Sequence, residues 1–201
     1  MEYVFPLLLG FVLGSIPTGY LVGRLKGVDI REHGSGNIGS TNVLRVLGKG
    51  PGYFVFACDA LKGILAVLLA YRMFPAGGDL GAIAAAVGCI LGHNFTPWLR
   101  FKGGKGIATS LGVLIALLPL TSVIVLSLWI LVFLVTRYVS LASILAASAL
   151  PVVVWLVRGI GPLFWFSLLI GGLAVVRHRA NIQRLIQGTE SRFTRGKEEA
   201  S

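Results

Sequence analysis

Residues 107–136 read IATSLGVLIALLPLTSVIVLSLWILVFLVT, a run without a single charged side chain. A membrane-spanning helix needs about 20 apolar residues. Pro119 stands inside the run and has no N–H to continue a helical ladder. The run is therefore one kinked helix or two short ones. The choice sets the number of crossings and the side on which every loop lies.

The charges around it make the choice. Further apolar segments lie at 4–23, 51–71, 80–99, 139–157 and 160–176. Basic residues concentrate in three places: Arg24, Lys26, Arg31, Arg45 and Lys49 after the first segment; Arg100, Lys102 and Lys105 before residue 107; and Arg177, Arg179, Arg184, Arg192, Arg195 and Lys197 at the end. The stretches 72–79 and 158–161 hold one arginine each. Positive loops favour the cytoplasmic side, which places all three basic regions there. That requires an even number of crossings between 106 and 177, so 107–119 and 120–136 are two spans that reverse at Pro119. The expected fold is an all-α polytopic membrane protein with seven transmembrane helices. Its N-terminus is expected outside and its C-terminus in the cytoplasm, with one domain over residues 1–188 and a flexible tail over 189–201.

Composition agrees. Of 201 residues, 55% are hydrophobic and 13% charged, and the mean hydropathy is +0.84. A soluble domain carries about 25% charged residues. The first segment lacks a basic leader and is followed by arginine and lysine, which suits a retained span better than a cleaved signal. The net charge of +10 fits loops facing an anionic leaflet and an anionic substrate, and nucleic acid is not expected as a partner. Cys58 and Cys89 lie inside apolar runs without partners at ligand spacing, so neither a disulfide nor a metal site is expected.

The fourth span has about 13 residues and covers only about 20 Å of a ~30 Å hydrocarbon core. The loop feeding it should dip below the surface, where irregular backbone survives only beside protein or a wet cavity. That loop is FKGGKG, residues 101–106. A helix start with free N–H groups binds anions, and Lys105 sits at that start. Basic flanking of a span accounts for Arg100 and Lys102 but not for the glycines.

Two more polar clusters fall on the same side. Residues 33–50, HGSGNIGSTNVLRVLGKG, contain G-x-G-x-x-G at Gly34, Gly36 and Gly39. No strand precedes it, so a dinucleotide fold is excluded, and Ser40 stands where a P-loop has lysine. Backbone amides freed by glycine, with the hydroxyls of Ser35, Ser40 and Thr41, suit phosphate oxygens. Arg45 follows and can bind them as a fork. A solvated loop of turn glycines and caps accounts for the segment equally well. Residues 177–190, RHRANIQRLIQGTE, place His178 and Asn181 three apart, on one face of a helix. A membrane-surface helix explains Arg179 and Arg184. Asp59 and Lys62 lie one turn apart inside the second span and read best as an intrahelical pair, although ionisable groups at that depth are costly.

The acidic residues narrow the chemistry. The eight are Glu2, Asp29, Glu32, Asp59, Asp79, Glu190, Glu198 and Glu199, with no two intramembrane carboxylates at metal-ligand spacing. A magnesium-dependent phosphatidyltransferase is disfavoured. No aspartate stands four residues after His33, His93 or His178, which excludes the histidine–aspartate acyltransferase motif. A transporter for an anionic lipid would spread its polar groups to both sides or to the midplane. A purely structural subunit leaves three polar loops unexplained.

With these segments in hand, the chain resembles the bacterial acyl-phosphate:glycerol-3-phosphate acyltransferase family over nearly its full length, through GSGNIGSTNVLR, GHNFTPWLRFKGGKGIATSLG and RHRANIQRLIQGTE in order. The resemblance implies an enzyme of phospholipid synthesis that moves a fatty acyl group from acyl phosphate to the 1-hydroxyl of glycerol 3-phosphate. It implies catalytic Ser35, Arg45, Lys105, His178 and Asn181. It also implies substrate binding by Gly34, Gly36, Asn37, Ser40, Thr41, Asn42, Gly103, Gly104, Gly106 and Thr109, with Glu190 structural. No cofactor or metal is implied. The expected partners are glycerol 3-phosphate, a long-chain acyl phosphate, the bilayer of the bacterial inner membrane and a peripheral acyl-phosphate synthase. The base for the attacking hydroxyl is either His178 or an oxygen of the donor's own phosphate.

Overall fold

The computed structural model describes residues 1–193, and these form ten α-helices joined by short turns and three 3₁₀ turns. The first apolar segment is broken. Helix α1 (Val4–Ser15) and helix α2 (Thr18–Leu25) are separated at Ile16 and Pro17. Proline cannot donate to the ladder, and the residue before it leaves helical space; Ile16 has ψ 112°. Together the two helices make a candidate span of 22 residues, Val4–Leu25.

Helix α3 (Ser40–Leu47) is a short helix in the polar loop, and Gly48, at φ 88°, separates it from α4 (Lys49–Met73). Helices α5 (Gly78–Asn94), α6 (Ile107–Leu117), α7 (Pro119–Thr136) and α8 (Val139–Arg158) follow. The chain then bends by 55° between α9 (Pro162–Arg177) and α10 (Arg179–Ile186), with His178 in the bend. Five candidate spans are long and apolar enough to cross a membrane, a sixth arises if α9 and α10 count as one, and α6 is a shorter apolar helix of 11 residues. Pro119 does divide the 107–136 run into two helices, which pack on different neighbours, α6 against α4 and α7 against α8.

Small residues set the helix spacing. A Cβ added to Gly10 or Gly14 on α1 would strike the carbonyls of Ala85 or Cys89, and one on Gly88 or Gly92 of α5 would strike Leu7 or Phe11. The two backbones therefore touch, as small residues allow between helices in lipid. The same relation ties α6 to α4. Gly112 meets the Ala60 carbonyl and Gly63 meets that of Thr109. This contact carries the start of α6 over the stretch of α4 that holds Asp59 and Lys62.

The chain just beyond α10 differs from a free tail. Glu190 is buried, Phe193 stacks edge-on against Phe133, and the Phe193 N–H donates to the Arg137 carbonyl. Within 189–193, Glu190 and Phe193 touch the helices, while Thr189, Ser191 and Arg192 are exposed. The rest of the expected flexible tail, 194–201, lies outside the described residues.

Candidate functional site

One cavity of about 520 Å³ reaches the three polar segments. Its polar wall comes from helix ends and loops: Ser35, Ser40, Thr41, Arg45, Lys105, His178 and Asn181. Its apolar wall comes from residues one to three turns inside the helices, among them Leu114, Val125, Trp129, Ala146, Leu150 and Ile170. Charge and hydroxyls thus share one chamber with a slot lined by hydrocarbon.

Asn42 shapes the first loop. It is 2% exposed, and its Nδ2 lies within 3.1 Å of the carbonyls of Ile30, His33 and Asn37. Its Oδ1 accepts the Ser35 N–H at 2.8 Å. Asn37 Oδ1 accepts the Gly39 N–H at 2.9 Å. Gly34 must be glycine, because its φ is +59° and a Cβ would meet the Asn42 side chain. The N–H groups of Ser40 and Thr41, in the first turn of α3, have no hydrogen-bond partner among the described residues and border the cavity. Arg45, one turn further on, is exposed at the rim and reaches the Ser191 carbonyl only at 3.4 Å.

The second loop is held from behind. Gly103 N–H donates to the Asn94 carbonyl (3.1 Å) and Gly104 N–H to the His93 carbonyl (3.0 Å). Arg177 holds the same two residues by their carbonyls, donating from Nη2 to Gly103 (2.9 Å) and Gly104 (2.8 Å). A Cβ on Gly103 would strike the His93 carbonyl, and one on Gly104 the His93 ring. These two glycines therefore permit close packing, and their amides are committed to the protein. The N–H groups of Lys105, Gly106, Ile107 and Ala108 have no partner among the described residues, and all four residues border the cavity. Gly106 adopts φ +82°, the turn that starts α6. Thr109 is wholly enclosed behind this turn and does not border the cavity.

The third segment completes the wall. His178 Nδ1 lies 2.8 Å from the Ala174 carbonyl, an obligate acceptor. The proton therefore sits on Nδ1 and leaves Nε2 as a lone-pair acceptor. Burial, aided by the Lys105 charge, holds this imidazole down to about 4, so it is neutral at physiological pH. Lys105 donates to Asn181 Oδ1, and Asn181 Nδ2 donates to Glu190 Oε1 at 2.7 Å. Glu190 also accepts from Ser140 Oγ and Arg184 Nε, each at 2.7 Å. Burial pushes this carboxyl up, but the bonds from Ser140, Asn181 and Arg184 outweigh it and hold it below its usual range. Burial likewise lowers the Lys105 ammonium to about 8, which leaves it charged at pH 7.

The structure thus gathers Ser35, Asn37, Ser40, Thr41, Asn42, Arg45, Lys105, Gly106, His178, Asn181 and Glu190 around one cavity, while Gly34, Gly36, Gly103, Gly104 and Thr109 do not border it. Reasoning from sequence did not single out Arg177, Ser140 or His93. Arg177 reads in sequence as one more basic residue at a span's end. Its neighbours Gly103 and Gly104 are more than seventy positions away.

Two positive helix starts, α3 and α6, face the same chamber as Arg45 and Lys105. Each helix start acts as roughly half a positive charge. The chamber suits phosphate groups and the slot suits an alkyl chain. Comparison with known proteins points the same way. The family profile described as glycerol-3-phosphate acyltransferase matches residues 4–188. The glycerol-3-phosphate acyltransferase of Desulforudis audaxviator (strain MP104C) is 50% identical over 191 residues, covering 92% of this chain and 93% of that protein. That of Geotalea daltonii is 47% identical, covering 92% and 94%. A crystal structure of PlsY (YgiH), an integral membrane glycerol 3-phosphate acyltransferase, in its glycerol 3-phosphate form is 39% identical, with a TM-score of 0.90 over 96% of both chains. Its lysophosphatidic acid form gives 0.87 over the same coverage.

Proposed function

From the fact that the chain belongs to the glycerol-3-phosphate acyltransferase family, we propose that it moves a fatty acyl group from an acyl phosphate to the 1-hydroxyl of glycerol 3-phosphate, giving lysophosphatidic acid and inorganic phosphate. The observation that supports this most is the joining of two cationic helix starts and an apolar slot in one cavity. An acceptor with one phosphate and a donor with a phosphate and an alkyl tail need that combination.

In this reading the α6 start, Lys105 and Gly106 seat the phosphate of glycerol 3-phosphate. Lys105 gives one N–H to Asn181 and keeps two for phosphate oxygens. The α3 start, Ser35, Ser40, Thr41 and Arg45 seat the donor phosphate, and the alkyl chain lies between α7, α8 and α9. The four positive elements offset the repulsion between the two anions. Holding the hydroxyl against the carbonyl is worth up to ~7–11 kcal/mol of effective concentration.

The donor is a mixed anhydride. The 1-hydroxyl oxygen attacks the acyl carbon, the bond from that carbon to the phosphate oxygen breaks, and the phosphate departs with the pair. His178 Nε2 accepts the hydroxyl's hydrogen bond and orients its lone pair. A group held at about 4 is a feeble base, so the proton ends on the departing phosphate.

The basic loops support a site on the cytoplasmic face of a bacterial inner membrane, and the reading takes seven crossings by counting α6 and the α9 span as one each. A peripheral synthase that makes the acyl phosphate is the natural supplier. The test is purified protein with palmitoyl phosphate and radiolabelled glycerol 3-phosphate in EDTA, beside palmitoyl-CoA. Lysophosphatidic acid from the phosphate donor alone is expected; product from the thioester would overturn the donor, and none from either would overturn the reaction.

A further inference from the structure

Asp59, Lys62 and His93 are 2%, 6% and 5% exposed, and the proposed chemistry leaves all three without a role. Lys62 Nζ lies 2.8 Å from Asp59 Oδ1, in an ion pair of poor hydrogen-bond direction. It also makes two directed bonds, to His93 Nδ1 at 2.8 Å and to the Ile16 carbonyl at 3.1 Å. Lysine is a donor only, so His93 Nδ1 accepts and its ring is held in one orientation. The Ile16 carbonyl leaves the α1 axis because the residue before a proline is pushed out of helical space, and it accepts the Thr18 N–H (3.0 Å) as well as Lys62.

The held ring lies directly beneath the second loop. A Cβ on Gly104 would meet His93 Nε2. The carbonyl of His93 and that of the next residue, Asn94, accept the N–H groups of Gly104 and Gly103. The end of α1 is joined to the same region, since Thr96 Oγ1 donates to the Ser15 carbonyl at 2.6 Å. Asp59 and His93 both border the substrate cavity. An intrahelical pair that served only α4 would need none of these contacts.

We propose that Lys62, balanced by Asp59, is a positioning residue for the substrate loop: it fixes the His93 ring on which Gly104 rests, and so aims the Lys105 ammonium and the α6 amides that follow. This rests on the reading of that loop as the seat of glycerol 3-phosphate. A buried ion pair by itself is poor evidence of stabilisation, and neutral replacements of both partners are often tolerated. That makes the role separable from folding.

The test compares wild type with Asp59→Asn/Lys62→Met, which removes both charges together, and with His93→Gln. The expected result is a double variant that melts within a few degrees of wild type. Its KM for glycerol 3-phosphate should rise about tenfold and its KM for acyl phosphate should stay unchanged, because only one substrate's seat has shifted. His93→Gln should show the same split. A folded double variant with the wild-type KM would overturn the proposal, and so would His93→Gln with the wild-type KM if the double variant does not fold. Hydrogen exchange is read in parallel on peptides covering 100–109. Gly103 and Gly104 amides protected in wild type and exchanging about tenfold faster in the variants support the proposal, and unchanged protection overturns it. The exchange readout holds even if wild type turns over neither substrate, an outcome that would remove the assigned reaction instead.

Discussion

The Lys105 ammonium donates to Asn181 Oδ1 across 76 positions of sequence, and this bond joins the glycine loop to the bend after the last span. Asn181 is aimed by Glu190, which is in turn fixed by Ser140 and Arg184. The chain of contacts runs from a buried carboxylate through an amide to the Lys105 ammonium at the base of the α6 start.

Removing the anchor should loosen the whole chain. Glu190→Ala leaves Ser140 and Asn181 without an acceptor in a buried place. The expected loss is about 2–3 kcal/mol, below the ~3–5 kcal/mol of a fully buried pair because Arg184 stays partly in solvent. Thermal unfolding in detergent measures it. Glu190→Gln keeps one acceptor and should lose less than half as much. A Glu190→Ala protein as stable as wild type would contradict the network.

The pH dependence follows from Lys105. Burial holds it to about 8, so its charge is complete well below that pH and is lost as the pH rises through it. The KM for glycerol 3-phosphate should be flat from pH 7 to 7.5 and about tenfold higher by pH 9, where roughly a tenth of the ammonium remains. Lys105→Arg should be weaker at pH 7 but lack the alkaline rise, because guanidinium does not titrate there. His178, held at about 4, contributes no limb near the ordinary histidine range.

How much of this was legible in the sequence depends on how local the cause is. The segments 51–71, 120–136 and 139–157 appear as α4, α7 and α8 because apolar composition alone demands burial in lipid. Pro119 divides two helices as its chemistry requires. Pro17 has the same chemistry, but the run 4–23 carries no charge on either side of it and reads as one segment, so the break between α1 and α2 went unread. The meeting of Ser35, Arg45, Lys105, His178 and Asn181 at one cavity was legible because glycines and polar groups have few reasons to cluster between spans. The partners of Gly103 and Gly104 were not. A glycine admits a phosphate or a neighbouring carbonyl equally well, and only the fold reveals the His93 carbonyl. Asn42 reads as a ligand in sequence and stands as the scaffold of its loop in space.

The two kinds of glycine in the second loop should respond differently from glycines elsewhere. Gly104→Ala drives a methyl into the His93 ring, and Gly106→Ala forces a side chain into left-handed backbone. Both should raise the KM for glycerol 3-phosphate at least tenfold, with a smaller effect on the donor. Gly172→Ala, where a methyl meets nothing, is the control and should change neither constant by more than twofold. Steady-state kinetics with each substrate varied in turn checks all three.

His178 tests the route of the proton. If Nε2 only orients the hydroxyl, His178→Gln supplies another acceptor and should keep at least a tenth of kcat. His178→Phe supplies none and should keep about a hundredth. General-base catalysis is worth about 10²–10⁴, so a thousandfold fall in His178→Gln would instead assign the proton to the imidazole.

The alkyl slot predicts a change of substrate preference. Ala146 is 6% exposed and borders the cavity where α8 faces α9, two turns beyond Ser140. Ala146→Phe would fill that part of the slot and leave the polar chamber intact. Each methylene removed from water is worth about 0.8 kcal/mol, so a chain that no longer reaches the lower slot loses most of its advantage over a shorter one. The expected outcome is a fall in kcat/KM of at least tenfold for palmitoyl phosphate and less than threefold for decanoyl phosphate. The KM for glycerol 3-phosphate should be unchanged. Equal losses with both donors would mean that the alkyl chain lies elsewhere, along the lipid-facing surface of α7 and α8.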